Sequence, residues 1–255
     1  MPESPATTSE PPVAFLTGAG SGIGRATARE LGRRGYRVAV TDRNAGSAAE
    51  VAGELPDALA LELDVRDSSA VEQAVGRALA WSGRVDLLVN NAGINSPYTV
   101  LETPLELWDD VFAVNVRGMF LCSRAILPAM IERGRGVIVN LASAGSLVAM
   151  AERAGYCASK GAVLALTRAM AIDHVHQGIR VSCVCPGSID TPWVERLLAA
   201  SDDPEETLRD IVERQPMRRL GTAEEIAKAI AYLASDDAAY VTGSALVIDG
   251  GWTAR

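Results

Sequence analysis

The chain has no stretch of about 18 apolar residues, so no transmembrane helix is expected. Its first residues, MPESPATTSEPP, lack both a basic start and an apolar run. Residues 1–12 are therefore expected to be a polar, disordered tail rather than a signal peptide. Histidine is scarce: His174 and His176 are two apart on a helical pattern, so they face different ways, and no third metal ligand accompanies them. The four cysteines (Cys122, Cys157, Cys183, Cys185) match neither a zinc site nor a CxxC redox pair. They read as buried, reduced thiols of a cytoplasmic protein. Cys183 and Cys185 flank Val184 in a strand pattern and share one face. Positive charge is in deficit, with a net charge of −8, which argues against a broad nucleic-acid footprint.

What is present is alternation. Short apolar runs at 13–17, 37–42, 58–63, 85–90, 136–141, 180–185 and 245–248 read as strands. Helical patterns fall at 22–34, 48–55, 68–81, 104–133, 155–176 and 222–234. Near-continuous apolar strands separated by helices predict a doubly wound α/β domain, a seven-stranded parallel sheet covered on both faces, over 13–255. Two long connections, 93–103 and 186–221, follow strands. Ligands of open α/β sheets bind beyond the carboxyl ends of strands, so 186–221 is expected to form a substrate lid.

The first strand runs into TGAGSGIG and then a helix. Glycines there allow a tight turn and close approach of a pyrophosphate, and the helix start offers unpaired N–H groups and a positive dipole end. Asp42 closes the second strand, where a carboxylate accepts ribose hydroxyls and repels a 2′-phosphate. Arg43 follows and attracts phosphate, but the strand aims Asp42 at the ribose. Ser143 lies just past a strand's carboxyl end. Tyr156 and Lys160 are one helical turn apart on one face. Phenols are poor bases near neutrality; an adjacent ammonium, together with the cationic ring of a bound dinucleotide, favours the phenolate and is expected to lower Tyr156's pKa. Such a tyrosine can act as general base toward an alcohol and general acid toward a ketone.

These motifs, in this order over residues 13–252, resemble the short-chain dehydrogenase/reductase family, of Rossmann type. TGAGSGIG (Gly18, Ser21, Gly22, Ile23, Gly24) resembles its cofactor turn, and Asn90-Asn91-Ala92-Gly93 its NNAG segment. Asn115, Ser143, Tyr156 and Lys160 resemble its catalytic set, and Pro186-Gly187 its turn after strand six. The resemblance implies that Asp64 and Val65 contact adenine. It implies that Ile189 and Thr191 bind the nicotinamide carboxamide, that Lys160 also bonds the nicotinamide ribose, and that Asn115 holds a water linking Lys160 to solvent. With Asp42, a serine at 21 implies NAD rather than NADP. The segments after 179 resemble a subgroup of 3-hydroxybutyrate and 2-keto-3-deoxy sugar-acid dehydrogenases. That resemblance implies that Arg153, Arg196 and Arg214 bind a substrate carboxylate, with Trp193 walling the pocket or packing in the lid. The C-terminal VIDGGW resembles a segment at the family's tetramer interface, and the long apolar helices have surface enough for a partner, so a homotetramer is expected. Other readings stay open: reduction of a neutral ketone or acyl thioester, and a non-catalytic nucleotide-binding regulator.

Overall fold

The computed structural model describes residues 10–254. Seven strands form one parallel sheet: β1 (Val13–Leu16), β2 (Arg37–Asp42), β3 (Ala58–Glu62), β4 (Leu87–Asn90), β5 (Gly136–Leu141), β6 (Ile179–Pro186) and, after a short ribbon, β9 (Ala245–Ile248). Their order is β3-β2-β1-β4-β5-β6-β9, and every pairing is parallel. The seven strands expected from sequence are all present, with ends shifted by a residue or two.

Adjacent residues of a strand serve opposite layers. Phe15 packs in the layer of α3 (Ser68–Ser82) and α5 (Met119–Glu132), whereas Leu16 packs in the layer of α1 (Gly22–Arg33), α2 (Ala45–Gly53) and α9 (Ala223–Ala234). Both are fully buried, as are Leu31, Ile126, Met130, Ile226 and Ile230. Each such side chain removed from water contributes about 1.5–3 kcal/mol, so the sheet is fixed from both sides. Local signals set the helix ends. The Asp67 carboxylate accepts Ser69 and Ala70 N–H to start α3, and Gly83 at φ 74° ends it. Thr222 and Glu225 form a capping box at the start of α9.

β1 and β4 are neighbours, and the chain leaves them toward opposite edges of the sheet. This order reversal opens a crevice at their carboxyl ends. Segment 186–221 covers it with α7 (Pro192–Ala199) and α8 (Pro204–Glu213). A feature not expected from sequence closes the base of that segment: β7 (Ile189–Asp190) pairs in parallel with β8 (Gly221–Thr222).

The helix expected over 104–133 is broken in kind. After α4 (Leu105–Phe112), residues Ala113–Gly118 form a π-helical stretch before α5. Gly118 lies there because a Cβ would stand 2.6 Å from Val65 Cγ2. Taken together, Leu105–Glu132 is long and apolar enough to cross a membrane by length and composition alone, a test that buried core helices also pass. Half of its apolar window is nevertheless buried inside the domain as a core helix. α6 (Ala154–His174) ends with His174 Nδ1 bonded to Gln177 Oε1 at 2.6 Å. No metal-ligand cluster occurs among the described residues. Three cysteines are buried and Cys157 is half-buried, all as free thiols. Of the expected tail, residues 1–9 lie outside the described residues. Residues 10–12 are pinned: Arg84 donates to the carbonyls of Glu10 and Pro11, and Arg37 N–H to that of Pro12.

Candidate active site

A cavity of about 460 Å³ lies in the crevice. Its wall carries every site residue expected from sequence except Gly24 and Asn115, which support it from behind.

One half is built from two interlocked turns. Asn91 Nδ2 donates to the carbonyls of Thr17 and Gly18, at 2.9 and 2.8 Å. Thr17 Oγ1 in return accepts Asn91 and Ala92 N–H. Gly18 has φ 60°, and a Cβ there would meet Ala92 Cα at 2.8 Å. Gly24 has no room for a side chain, since a Cβ would stand 2.2 Å from the Gly18 carbonyl oxygen; it lets α1 press against the turn. At Gly22, φ 51°, a Cβ would point across toward Thr191, 3.5 Å from its Cγ2. Ser21 starts α1 without a side-chain cap, so the helix's first N–H groups and positive end are left for an anion. Asp42 is held at the strand end: Oδ2 accepts Gly20 N–H at 3.0 Å and Oδ1 accepts Asn44 N–H at 2.9 Å. Arg43 is exposed beside it. Farther along, the Arg66 guanidinium grips the Asp64 carboxylate and holds it below the usual range. Arg66 also bonds Asp110 on α4 at 2.9 Å. A turn with glycine at the close approaches, a free helix start and a carboxylate at the strand end fits a dinucleotide whose ribose lies against Asp42.

The other half brings Ser143, Tyr156 and Lys160 together. Ser143 sits just past β5, where its Oγ accepts Gly145 N–H at 3.0 Å. Ser146 Oγ accepts Ser143 N–H and donates to the Lys160 carbonyl, tying this turn to α6. Lys160 is buried, and its Nζ donates to the Leu141 carbonyl at 2.6 Å. The ammonium is 5.7 Å from the centre of the Tyr156 ring. Burial drives the Lys160 pKa down to about 8.

In the chain by itself, burial governs Tyr156. Its phenol is pushed up, not down: the loss of hydration outweighs the opposing hydrogen bond from Ser143. Lys160 spends its shortest bond on Leu141 rather than on the phenol, and it is itself destabilised as a cation. Asn115 is held by backbone and side-chain partners behind the wall. Its Oδ1 accepts Ile94 N–H at 2.8 Å, while its Nδ2 donates to the Ile94 carbonyl and to Ser159 Oγ, both at 2.9 Å. Ser159 Oγ in turn donates a hydrogen bond to the Tyr156 carbonyl at 2.7 Å. The amide thus clamps loop 93–103 to α6, and its polar atoms are already engaged with protein groups. The π stretch gives it this reach. A Cβ on Gly93 would meet Asn115 Oδ1 at 3.3 Å and Lys160 Nζ at 3.5 Å, so the three converge.

Arg153, Arg196 and Arg214 all reach the cavity, and none forms an ion pair among the described residues. Arg153 is only 9% exposed; its Nη1 donates to the Glu152 carbonyl, and its Nε is buried without a partner. Burial, then the charge of Arg214, lowers its pKa. Trp193 lines the cavity under Arg153. Trp252, which sequence resemblance put at a subunit interface, lines it under Arg214. Sequence reasoning missed Trp252, Ser159 and Gln215. Gln215 is buried and its Oε1 accepts Ser188 N–H at 2.9 Å, setting the turn before β7. A buried glutamine in a polar lid segment has no periodic signature, whereas Ser159, one residue before Lys160, was open to a helix-face argument.

A fold of this order with such a cavity defines a nucleotide-binding oxidoreductase. A family profile for enoyl-(acyl carrier protein) reductases matches residues 18–253. The chain is 47% identical over 251 residues to a 2-(R)-hydroxypropyl-CoM dehydrogenase of Xanthobacter autotrophicus, covering 95% of this chain and 98% of that one. It is 38% identical to a 2-keto-3-deoxy-L-fuconate dehydrogenase of Xanthomonas campestris, covering 99% and 84%. Among solved structures, a levodione reductase superposes with a TM-score of 0.90 at 35% identity, covering 96% and 98%. The chain belongs to the short-chain dehydrogenase/reductase family. It is an oxidoreductase, and the relatives named above are dehydrogenases of small molecules.

Proposed function

We propose that this chain is an NAD-dependent dehydrogenase that interconverts a secondary alcohol and a ketone on a small hydroxy or keto carboxylic acid, a sugar acid included. The observation that carries the reading is that Ser143, Tyr156 and Lys160, the glycine turn with Asp42, and the three arginines Arg153, Arg196 and Arg214 all wall one cavity.

Gly18, Ser21, Gly22, Ile23, Asp42 and Arg43 would hold the adenosine and pyrophosphate, with Asp64 and Val65 at the adenine. Asn91, Ala92, Gly93, Lys160, Pro186, Gly187, Ile189 and Thr191 would hold the nicotinamide half. Bound there, NAD supplies the two-electron redox chemistry. Asp42 supports NAD over NADP because an added 2′-phosphate would meet a fixed carboxylate. The chain's own residues handle the proton. Ser143 Oγ orients the substrate oxygen toward Tyr156. The phenol, kept protonated by burial, is ready to donate to a ketone oxygen. In the reverse direction it must lose its proton first, so oxidation is favoured by alkaline solution. Lys160 holds positive charge beside the phenol, which steadies the phenolate that forms. Arg153, Arg196 and Arg214 would receive the substrate carboxylate.

The family profile names an acyl carrier protein reductase, and a thioester or neutral ketone is the competing substrate class. The buried Arg153, with an unpartnered Nε, favours the acid: an apolar substrate would leave that cation uncompensated. We further expect a cytoplasmic homotetramer that binds neither nucleic acid nor membrane. The test is coenzyme reduction at 340 nm with hydroxy acids, sugar acids and neutral alcohols. Acids should be turned over with NAD⁺ in preference to NADP⁺, and Asp42→Ala should narrow that preference about tenfold or more. Equal use of both coenzymes by the native enzyme would refute the cofactor assignment.

A further inference from the structure

Arg153 and Arg214 are two cations at one cavity; Glu152 acts on Arg153 through its charge, but the hydrogen bond between these neighbours goes to the Glu152 carbonyl and not to its carboxylate. Arg153, at the start of α6, bonds the neighbouring Glu152 carbonyl, and its buried Nε has no partner among the described residues. Arg214, just past α8, is close enough to act on it by charge repulsion. Each has an indole beside it. The Arg153 guanidinium carbon stands 5.9 Å from the Trp193 ring centre, and that of Arg214 stands 6.0 Å from the Trp252 ring centre. The pairs are built alike from unrelated parts. Trp193 opens the lid helix α7, whereas Trp252 comes from the C-terminal turn.

That turn is anchored. Asp249 is 7% exposed, and its carboxylate accepts Gly251 N–H at 2.9 Å and Thr253 N–H at 2.7 Å. Met217 N–H donates to the Gly250 carbonyl, stitching the turn to the end of the lid. Trp252 is therefore held beside Arg214 from outside the lid.

The choice of partner has a chemical consequence. A carboxylate would hold a guanidinium, but it would cancel the charge and occupy the in-plane N–H groups. A ring face attracts the cation through its quadrupole and leaves the N–H edges free. We propose that Trp193 and Trp252 are aromatic shelves that position Arg153 and Arg214 without engaging their in-plane N–H groups, and that these indoles thereby set the preference for anionic over neutral substrates. The inference rests on the acid-substrate reading above. It adds Trp193 and Trp252 as positioning residues, acting through the arginines rather than on the substrate.

The probes are acetate and its uncharged analogue acetamide, titrated into the enzyme–NADH complex with NADH fluorescence as readout. The quantity read is the ratio of the two Kd values. Native enzyme should favour acetate at least tenfold. Trp252→Leu keeps bulk but loses the ring face, and should reduce the ratio about fivefold, the worth of one such contact. Trp252→Phe should hold it within twofold of native. Trp193→Leu and Trp193→Phe form a second, independent pair should a Trp252 variant not fold, and NADH affinity with thermal melts reports folding. If the Leu and Phe variants lose discrimination equally, the indoles are packing only and the proposal fails. If Leu variants keep the native ratio while Arg153→Leu and Arg214→Leu lose it, the shelves are wrong and the acid reading stands. If native enzyme does not separate acetate from acetamide, the acid reading falls and the shelves go with it.

Discussion

At the residue scale, Lys160 is placed against its own stability. The fall from its ordinary pKa to about 8 corresponds to about 3 kcal/mol held against the cationic form. Its folded pKa lies below its unfolded one, so between those two values the unfolded chain binds more protons and stability rises with pH. Lys160→Met should therefore melt higher at pH 7, by about 2 kcal/mol once about 1 kcal/mol for the lost bond to Leu141 is deducted. That gain should shrink as pH is raised past 8. Turnover should fall at every pH. Equal stability of the two proteins from pH 7 to 10 would show that burial does not strain this cation. Residue types and spacing were legible here: the one-turn spacing of Tyr156 and Lys160 and the strand-end position of Ser143 follow from chain geometry. The balance of forces was not. Whether burial or a neighbouring charge dominates Tyr156 depends on how much protein surrounds the phenol, which spacing does not encode.

At the element scale, the lid is held thinly. α7 buries Val194 and α8 buries Ile211, against five buried residues in α9. Lid amides should exchange about 100-fold or more faster than those of β4 and β5. Coenzyme together with an acid substrate should slow them, because Arg196 and Arg214 lie on or beside these helices. Exchange unaffected by both ligands would contradict a lid that closes over substrate. The lid's position was readable from the long Pro-containing connection after β6. Its β7–β8 ribbon was not, since two residues per strand leave no alternation to detect. The π stretch escaped for a related reason. One extra residue per turn leaves the apolar pattern of 104–133 nearly intact, yet it swings Asn115 toward Ile94 and Ser159.

At the scale of the whole molecule, an apolar groove runs along α4, the π stretch and α5, lined by Phe112, Val116, Phe120 and Leu166, with Phe120 46% exposed. Such a face suits the homotetramer proposed above. Phe120→Glu should lower the mass seen by light scattering from four chains to two or one, whereas an unchanged mass would move the interface elsewhere. The parallel sheet and the crevice at its order reversal were legible because strand–helix alternation and handed crossovers permit few arrangements. Trp252 was not, because its turn is tied to the lid by the bond from Met217 N–H to the Gly250 carbonyl, between positions far apart in sequence. The central claim is that the Tyr156 phenol moves the substrate proton beside a bound dinucleotide. The most direct test is Tyr156→Phe, measured for NADH affinity and for turnover. NADH should bind within about threefold of native while kcat falls about 1000-fold or more; a variant that keeps a tenth of native turnover would contradict the account.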